Sequence, residues 1–391
     1  MSEIKVNSIK GVAASTAALT INNTDGTCTA NITSLNGGQF GNRNKVINGA
    51  ALVTQRGTIS DHGTSGKYTA VDRFCTKIGS SFNFDITSSQ STDAPAGFQN
   101  SLKLSPDSTQ TPTSSANGAI QTKLEGQDLQ DFAFGTSSAK PMTLSFYAKS
   151  GSAGAGTYSI EMQYVSSSGS LYHQTRAFTI TSSFQRFTFT FEANGDSTSV
   201  AMKNDNSDTL RIVWHLASGQ DDKTSAITTW TNTGAMKTIT GMDNFMSSTS
   251  NEFYITGVQL EVGSVATDFE HRSFAQELAL CQRYFCAYGS TVDNIQNGDR
   301  LGCGISTGSN TAIVTIPTGS KLRAFPTVAF SSGITINDAA GGPDVSSVSR
   351  SISYNGHAQI QFVTNPSSLT SGNAAHIRFE STSYLHLSAE L

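Results

Sequence analysis

Short segments in which apolar and polar residues alternate recur along most of this chain and restrict the folds open to it. The clearest is FTFTF at residues 187–191, which places phenylalanines on one face of a strand and threonines on the other. Similar segments occupy residues 142–148, 158–164, 210–216 and 253–262, and clusters of Gly, Ser, Asn and Asp separate them. Many two-faced strands with polar connections predict a two-sheet sandwich of jelly-roll type over residues 46–271.

The low charge of the chain supports a mainly β fold. Asp, Glu, Lys and Arg make up 14% of its 391 residues, against about 25% in an average soluble domain. Ser, Thr, Asn and Gly take their place, which suits strands and turns better than long exposed helices. The net charge of −4 and the lack of any Lys and Arg cluster argue against nucleic acid as a partner.

Two further regions flank this sandwich. Residues 1–45 contain short apolar segments, IKV at 4–6 and ALTI at 18–21, which cannot bury enough surface to fold alone and are expected to order against a partner. Residues 289–391 repeat the strand pattern, with the hairpin signal Asn355-Gly356, and predict a smaller second sandwich. No segment has the pattern of a membrane span or of a secretory signal.

The last strand of the predicted large sandwich changes phase. Its apolar residues hold odd positions at 253 and 255 and even positions from 258 to 262. A β-bulge at Thr256-Gly257 would keep one continuous buried face, because glycine accepts a backbone conformation that other residues avoid.

Residues 272–288 carry the strongest helical pattern. Ser273 and Gln276 form a capping-box pair, and Gly289 stands where a glycine often ends a helix. Apolar residues spaced by four, three, four and three form one stripe, which comprises Phe274, Leu278, Cys281, Phe285 and Tyr288. A helix this short is unstable alone in water, so it must pack on its own domain or bundle with copies of itself.

The cysteines show neither metal-ligand spacing nor a disulfide framework. We expect all five to be reduced and mostly buried; they are Cys28, Cys75, Cys281, Cys286 and Cys303.

Three sequence stretches recur together in a known class of proteins. The first is VINGA at 46–50, followed by QRG at 55–57 and YTAVDRF at 68–74. The second is GVQLEVGS at 257–264 with TDFEHRS at 267–273, and the third is ELALCQRYF at 277–285. In this combination the chain resembles tail-fibre and related virion proteins of tailed bacteriophages, especially those of aquatic bacteria.

The resemblance implies a jelly-roll domain similar to carbohydrate-binding modules, within a homotrimeric appendage that docks to the tail or to an adaptor through residues 1–45. It also implies a protein made in the host cytoplasm and located in the virion, which fits the missing export signal. The helix stripe would then form a three-fold bundle and set the trimer interface. Arg272, Glu277 and Arg283 flank the stripe and would either pair between chains or remain solvated.

Common enzyme motifs give little support for catalysis. The sequence contains no HExxH or P-loop motif, and we expect no enzymatic activity. Glu161 and Glu252 are candidates for glycan hydrolysis only in the sense that any two strand carboxylates are. The histidines on predicted strands, His215, His376 and His386, alternate with apolar residues and are expected on exposed faces.

Cofactors are not expected, with a structural calcium ion as the one open alternative. Asp205, Asp208, Asp221 and Asp222 lie in predicted loops and could supply oxygen ligands, although solvated turn residues explain them as well. No residue is assigned to a metal.

Glycan binding requires exposed aromatic faces beside hydrogen-bonding groups. Trp230 and Asn232 lie in the polar stretch TTWTN at 228–232, whereas Trp214 is expected in the core. In the C-terminal region, the Gly-, Ser- and Asn-rich loops that run from Asp338 to Asp344 and from Asn365 to Asn373 could form shallow polar pockets. These residues are the candidate glycan site.

The expected function is that of a structural tail-fibre protein that attaches the virion to a host-surface glycan or outer-membrane receptor. Two alternatives stay open. One is a tail connector or adaptor without a receptor site. The other is a polysaccharide depolymerase, although the repeating coils of a parallel β-helix are missing from the sequence.

Overall fold

The computed structural model describes residues 8–9, 19–21, 24, 28–30, 41–195, 197–232, 238–289, 298–380 and 383–391. These residues are mainly β, with one α-helix, as the composition predicts. The strands, in chain order, are β1 Ser8–Ile9, β2 Leu19–Ile21, β3 Cys28–Ala30, β4 Phe74–Gly79, β5 Ile86–Ser91, β6 Ser101–Pro106, β7 Asn117–Glu125, β8 Met142–Ser150, β9 Gly156–Val165, β10 Leu171–Ile180, β11 Gln185–Phe191, β12 Asp208–Ser218, β13 Lys223–Thr224, β14 Thr238–Ile239, β15 Phe253–Val262, β16 Phe285–Gly289, β17 Arg300–Ser306, β18 Thr311–Pro317, β19 Thr327–Phe330, β20 Ile334–Asn337, β21 Asp344–Tyr354, β22 His357–Asn365, β23 Ala374–Phe379 and β24 Tyr384–Ser388. The helix α1 is Phe274–Gln282, and short 3-10 turns lie at Gly126–Phe132, Thr198–Val200, Gln220–Asp222 and Phe245–Ser247.

Two five-stranded antiparallel sheets form the predicted sandwich. One has the order β10-β9-β12-β7-β4 and the other the order β11-β8-β15-β6-β5. The chain crosses repeatedly between the two sheets, as in a jelly roll. Trp214 and Phe146 meet edge to face in the shared core, with ring centroids 5.6 Å apart. The jelly-roll prediction is therefore confirmed, and so is the placement of Trp214 in the core.

The β-bulge predicted in the last strand of this sandwich is present. The pairing of β15 with β8 shifts register between Thr256 and Gln259, and Gly257 has a φ of +61°. A Cβ atom on Gly257 would lie 2.7 Å from Phe98 Cζ and 2.9 Å from Tyr147 Cδ2. Glycine is required here for its backbone conformation and for the space that these two rings occupy.

The C-terminal region is also β, but its main sheet is closed. Six strands form a barrel in the order β17-β18-β22-β21-β20-β23, and β16, β24 and β19 form a separate three-stranded sheet. The hairpin predicted at Asn355-Gly356 joins β21 to β22, and Gly356 has a φ of +73°. The predicted second sandwich is thus a barrel with an added sheet, a closure that depends on long-range strand pairing.

The helix prediction is right at its start and wrong at its end. Ser273 and Gln276 form the full capping box, but α1 stops at Gln282 instead of continuing to Tyr288. From Phe285 the chain pairs with β24 as a strand, and Gly289 ends that strand. Pairing with a distant strand overrides the helical spacing, which is visible only locally.

The predicted stripe therefore does not form one face of a helix. Phe274 is exposed and Leu278 half-buried, whereas Cys281 and Phe285 are buried within the chain. The hydroxyl of Tyr288 donates a hydrogen bond to the carbonyl of Pro317. The flanking charges pair within the chain as well, as Arg272 with Glu277 and Arg283 with Glu125, each over less than 3 Å. A trimer interface on this stripe is without structural support, and the trimer itself stays a prediction.

A buried network of charges joins the jelly roll to the C-terminal region. Arg73 is 2% exposed and forms a short ion pair with Glu390, while its other terminal nitrogen donates to the carbonyl of Lys123 over 2.8 Å. The guanidinium also stacks 3.4 Å from the centroid of the Tyr284 ring. Burial works against the charge of Arg73, but the Glu390 carboxylate outweighs it and holds the pKa of Arg73 above its ordinary value.

Arg56 extends this network across the junction. Its guanidinium lies 3.1 Å from Asp72 Oδ1 and 2.9 Å from Glu390 Oε1, and it stacks 3.5 Å from the centroid of the Phe285 ring. Burial raises the pKa of Asp72 to about 6, although Arg56 acts in the opposite direction. The surrounding residues 389–391 are held by Arg323, Tyr68 and Lys123 through backbone carbonyls.

Within the N-terminal region, β1, β2 and β3 form a small antiparallel sheet, and Asn44 and Lys45 bond to Val258 and Leu260 of β15 in the jelly roll. The predicted apolar segment at 4–6 lies outside the described residues, and docking of residues 1–45 to a tail protein stays a prediction. Cys75, Cys281 and Cys286 have buried, reduced thiols, and the thiol of Cys303 is exposed. None of the described helices is long and apolar enough to cross a membrane.

The bulge yields a direct test of stability. Gly257→Ala is expected to lower the free energy of unfolding by about 3 kcal/mol, because it adds a steric clash to a left-handed backbone. Gly241 has a φ of +85° with nothing within 4 Å of a Cβ, so Gly241→Ala is the matched control and should cost only about 1 kcal/mol. Urea denaturation of both variants measures the difference, and equal losses would contradict the packing role of Gly257.

Candidate functional site

The polar residues predicted in the C-terminal region converge at one end of the barrel. Residues 306–311, 337–344 and 364–374, called the tip loops from here on, meet there through backbone hydrogen bonds. Thr364 N donates to Asn310 O over 2.9 Å, and Gly372 N donates to Ser306 O over 2.8 Å. Asp344 and Asn365 face each other across the first register position of β21 and β22. The structure thus brings together the four candidates Asp338, Asp344, Asn365 and Asn373.

Asp338 ties the tip loops to one another. Its Oδ1 accepts hydrogen bonds from the amides of Ala340 and Gly341, and its Oδ2 accepts from Ser306 Oγ and Thr370 N, all within 3.1 Å. Burial alone would raise the pKa of Asp338, but these hydrogen bonds outweigh it and lower the pKa. Asp338 is half-buried, so it orders the loops, while exposed neighbours such as Asp344 and Asn365 remain open to solvent.

The tip loops lie at the end of the barrel that is remote from the junction. Pro317 lies at one end of β18, and its carbonyl accepts the hydrogen bond from Tyr288. This end of the strand is close to the jelly roll. The Thr311 end belongs to the tip loops, and a strand of seven residues spans about 20 Å. The exposed side chains at this end are small and polar, and Ser368, Thr370 and Ser371 join Asp344 and Asn365 there. Such groups donate and accept hydrogen bonds without a deep pocket.

Trp230 is held by the edge of the jelly-roll core. Its ring meets Tyr164 edge to face, with centroids 4.9 Å apart, and its Nε1 donates to the carbonyl of Glu192 over 2.6 Å. The adjacent Asn232 is exposed. Because the indole is half-buried and its N–H is satisfied, Trp230 offers only part of one face to a ligand.

The outer face of the sheet β10-β9-β12-β7-β4 carries a buried polar cluster that surrounds Glu161. The Glu161 carboxylate lies 2.8 Å from His215 Nε2 and 3.4 Å from His173 Nδ1. Lys77 Nζ is 4.0 Å away and donates to Gln163 Oε1 over 2.8 Å. Burial alone would raise the pKa of Glu161, but the two histidines and Lys77 outweigh it and hold that pKa well below its ordinary value.

The charge state of this cluster follows from these contacts. Burial lowers the pKa of Lys77 to about 8, against the pull of Glu161, so the ammonium is still charged at neutral pH. Three polar atoms of the cluster, Gln121 Oε1, Gln163 Nε2 and His215 Nδ1, are buried without a protein partner. Ordered water is the usual partner of such atoms. The cluster is therefore a buried ion network.

The positions of the histidines correct one prediction. His215 was expected on an exposed strand face, but it is fully buried on the central strand β12. His376 and His386 are half-buried, and burial lowers the pKa of His386 to about 4. Alternation with apolar residues marks the face on which a side chain lies, but it does not reveal whether that face is covered.

The two glutamates considered for hydrolysis lie on different sheets. Glu161 belongs to the buried network, whereas Glu252 precedes β15 of the other sheet and pairs with Lys103 over 2.5 Å. Two carboxylates must flank one bond to hydrolyse a glycan. This pair does not, because each carboxylate is held by its own cations on its own sheet.

The acidic residues proposed for calcium are also separated. Asp208 pairs with Arg211 over 2.9 Å, and Asp222 accepts a hydrogen bond from Asn117 over 2.8 Å. Asp205 binds Ser207, and Asp221 is exposed. Among the described residues, no group of His, Cys, Asp and Glu side chains is arranged to hold a metal ion.

Some residues of the site were missed at the level of sequence. Asp338 followed by two alanines and two glycines is typical of a turn closed by its own carboxylate, so the amides of Ala340 and Gly341 could have been predicted as partners. Ser306 and Thr370 reach Asp338 from other loops. Lys77 and His173 carry no local signal, because their role depends on which strands are neighbours.

No protein family and no curated protein sequence matches this chain. Among solved structures, it is similar to a family 11 carbohydrate-binding module of a cellulosomal cellulase of Clostridium thermocellum, with 14% identity, a TM-score of 0.28, and 54% of this chain and 99% of that one covered. It is similar to the CBM22-1 xylan-binding domain of Paenibacillus barcinonensis, with 10% identity, a TM-score of 0.27, and coverage of 57% and 99%. It is also similar to the enzymatically active domain of tailspike protein 4 of bacteriophage CBA120, with 13% identity, a TM-score of 0.27, and coverage of 56% of this chain but 21% of that one.

The role of Asp338 can be tested by hydrogen exchange. Asp338→Ala removes a charged acceptor, and such bonds contribute roughly 1.5–3 kcal/mol, so the amides of Ala340, Gly341 and Thr370 should exchange at least about tenfold faster. Asp344→Ala, at the exposed end of the same loop, is the control and should leave their exchange unchanged. Unchanged exchange in Asp338→Ala would contradict the ordering role.

The buried network around Glu161 gives a second test. Glu161→Gln leaves the Lys77 ammonium buried beside a neutral group, and the free energy of unfolding should fall by about 3 kcal/mol. The same substitution at the partly exposed Glu252 should cost less than about 1 kcal/mol. Urea denaturation followed by tryptophan fluorescence compares them, and similar losses would show that the Glu161 network adds nothing beyond a surface ion pair.

Proposed function

We propose that this chain is a non-catalytic attachment protein of a tailed-phage virion, a homotrimeric tail fibre that binds host-surface glycans through the tip loops. The observation that carries the proposal is the convergence of exposed hydroxyl, amide and carboxylate groups on ordered loops at the free end of the barrel. The phage assignment is supported by the sequence stretches between residues 46 and 285, which resemble tail-fibre proteins.

The chemistry of the tip loops fits a polyhydroxylated ligand. A sugar hydroxyl both donates and accepts hydrogen bonds, and the tip presents acceptors such as Asp344 beside groups of both kinds such as Asn365 and Thr370. Asp338 orders these loops before a ligand arrives, which reduces the entropy lost on binding. No large aromatic platform lies among the described tip residues, so each site is expected to bind weakly.

Weak sites suffice if several act together. In a homotrimer, three tips on one rigid body would bind a repetitive glycan surface at high effective concentration, which raises the overall affinity without new contacts. The ion network around Arg73 and Glu390 serves this purpose, because it fixes the direction in which each tip points relative to the jelly roll.

A connector without a receptor site is the second candidate. The same junction favours it, since a protein that transmits force or spaces two virion parts also needs its units fixed against each other. The two candidate functions differ in whether the tip loops bind a receptor.

Binding to host cells and to a glycan array separates these functions. The purified full chain should bind both, and the double variant Asp344→Ala with Asn365→Ala should bind at least about tenfold more weakly, since each lost hydrogen bond contributes about 1 kcal/mol. The control is Asn355→Ala with His357→Ala, at the other end of the same barrel, which should bind like wild type.

Each outcome of these binding experiments supports or rejects one part of the proposal. If the wild-type chain binds neither cells nor glycans, the connector is favoured and the proposal fails. If it binds but the tip variant binds equally well, the receptor site lies elsewhere. Release of reducing ends from host polysaccharide would contradict the non-catalytic part.

A further inference from the structure

Helix α1 differs from a typical surface helix in which of its residues are buried and which are exposed. Its charged residue, Glu277, points inward, where it accepts a hydrogen bond from Asn48 N over 3.0 Å and pairs with Arg272 over 2.9 Å. The exposed residues of α1 are Phe274, at 58%, with Ala275, Gln276 and Ala279, whereas Cys281 is buried beside Glu277 on the inward face. A helix at a water surface normally places its apolar residues inward and its charges outward. The buried Glu277 and the exposed Phe274 depart from this pattern, which indicates that another surface covers α1.

A groove lies beside the exposed residues of α1. It has a volume of about 490 Å³, and its lining includes the apolar residues Ala279 and Leu280 together with the charged residues Arg272, Arg283 and Lys321. The two arginines are paired with Glu277 and Glu125, but Lys321 takes part in none of the salt bridges found among the described residues. The groove thus combines the apolar side chains of Ala279 and Leu280 with one positive charge that has no ion-pair partner among the described residues.

A projecting aromatic ring stands next to the groove. Phe325 is 72% exposed, the largest value among the exposed large hydrophobic residues of the described chain. It lines a second cavity of about 390 Å³ together with Leu322 and Lys321. Because Lys321 lines both cavities, the ring and the groove lie side by side on one surface. Asp205, an exposed acid, adjoins Asn206, which donates a hydrogen bond to Arg323 O over 2.9 Å.

We propose that the groove beside α1 receives Phe325 of a second copy of this chain. The exposed ring and the groove both present apolar side chains, lie on the same surface and have no partner among the described residues. A second copy of the chain can therefore supply the missing contact for each of them. The charges also match, since Asp205 beside the ring of one copy would approach Lys321 at the groove of the next. Two different patches in contact form a head-to-tail interface, which generates a closed ring when the rotation closes.

This inference rests on the homotrimer of the proposed function and specifies its self-contact. It replaces the predicted helix stripe, whose residues Cys281 and Phe285 are already buried within one chain. The interface is independent of the tip loops, so glycan binding and self-association can fail separately.

The first test measures mass in solution. Sedimentation of the wild-type full chain should give an oligomer, and Phe325→Ser and Ala279→Glu should each raise the dissociation constant at least about 30-fold, as loss of a central aromatic contact does. Glutamate is a good helix former, so Ala279→Glu should fold. Ile305→Ser is the matched control, because Ile305 is an exposed apolar residue, at 48%, on barrel strand β17.

The second test detects the contact itself. Two separately tagged chains, both with Cys303→Ser to remove the exposed thiol, carry either Ala279→Cys or Phe325→Cys. After mixing and mild oxidation, a disulfide between the two tags is expected. Its appearance supports the interface even if the charged variant misfolds.

Two results would overturn the inference. An oligomeric wild type whose mass is unaffected by either variant, with no disulfide between tags, rejects this interface and leaves the homotrimer standing. A wild type that stays monomeric at all concentrations rejects both, while binding at the tip loops is still decided by the glycan array.

Discussion

A buried ion pair between Arg73 and Glu390 is the interaction on which the arrangement of this molecule depends. The two residues are 317 positions apart, and they join the start of the jelly roll to the end of the barrel region. Removing one partner of such a pair leaves an uncompensated charge inside the protein and costs about 3–5 kcal/mol. Arg56 and Asp72 extend the pair into a network in which each guanidinium group faces a carboxylate. These ion pairs therefore hold the barrel region against the jelly roll and restrict its rotation.

This junction gives a structural role to several of the sequence stretches on which the tail-fibre prediction rests. Arg56 belongs to QRG, Asp72 and Arg73 belong to YTAVDRF, and Tyr284 and Phe285 close ELALCQRYF. Their side chains meet at the same place, where the rings of Tyr284 and Phe285 cover the two guanidinium groups. These three stretches thus belong to the junction between the jelly roll and the C-terminal region, and the tip loops contain none of them.

Local sequence patterns predicted the strands of the jelly roll and the start of the helix. Long-range strand pairing determined where the helix ends and how the barrel closes. The strands of the jelly roll and the bulge at Gly257 follow from alternation and its change of phase, which any short window of the sequence reveals. The end of α1 does not, because residues 285–289 have helical spacing and become a strand only when β24 is beside them. His215 and Lys77 were misjudged or missed for the same reason, since burial of an outer sheet face depends on what covers it. The tip candidates were found from composition, but Ser306 joins Asp338 only through the closure of the barrel.

Differential scanning calorimetry of the full chain and of Glu390→Gln tests the central claim most directly, namely that the charged junction makes one rigid body of the jelly roll and the barrel. The wild type should unfold in a single transition that includes both units, and Glu390→Gln should separate it into two transitions, because the uncoupled units then melt independently. Two transitions in the wild type, or an unchanged single transition in Glu390→Gln, would contradict the account.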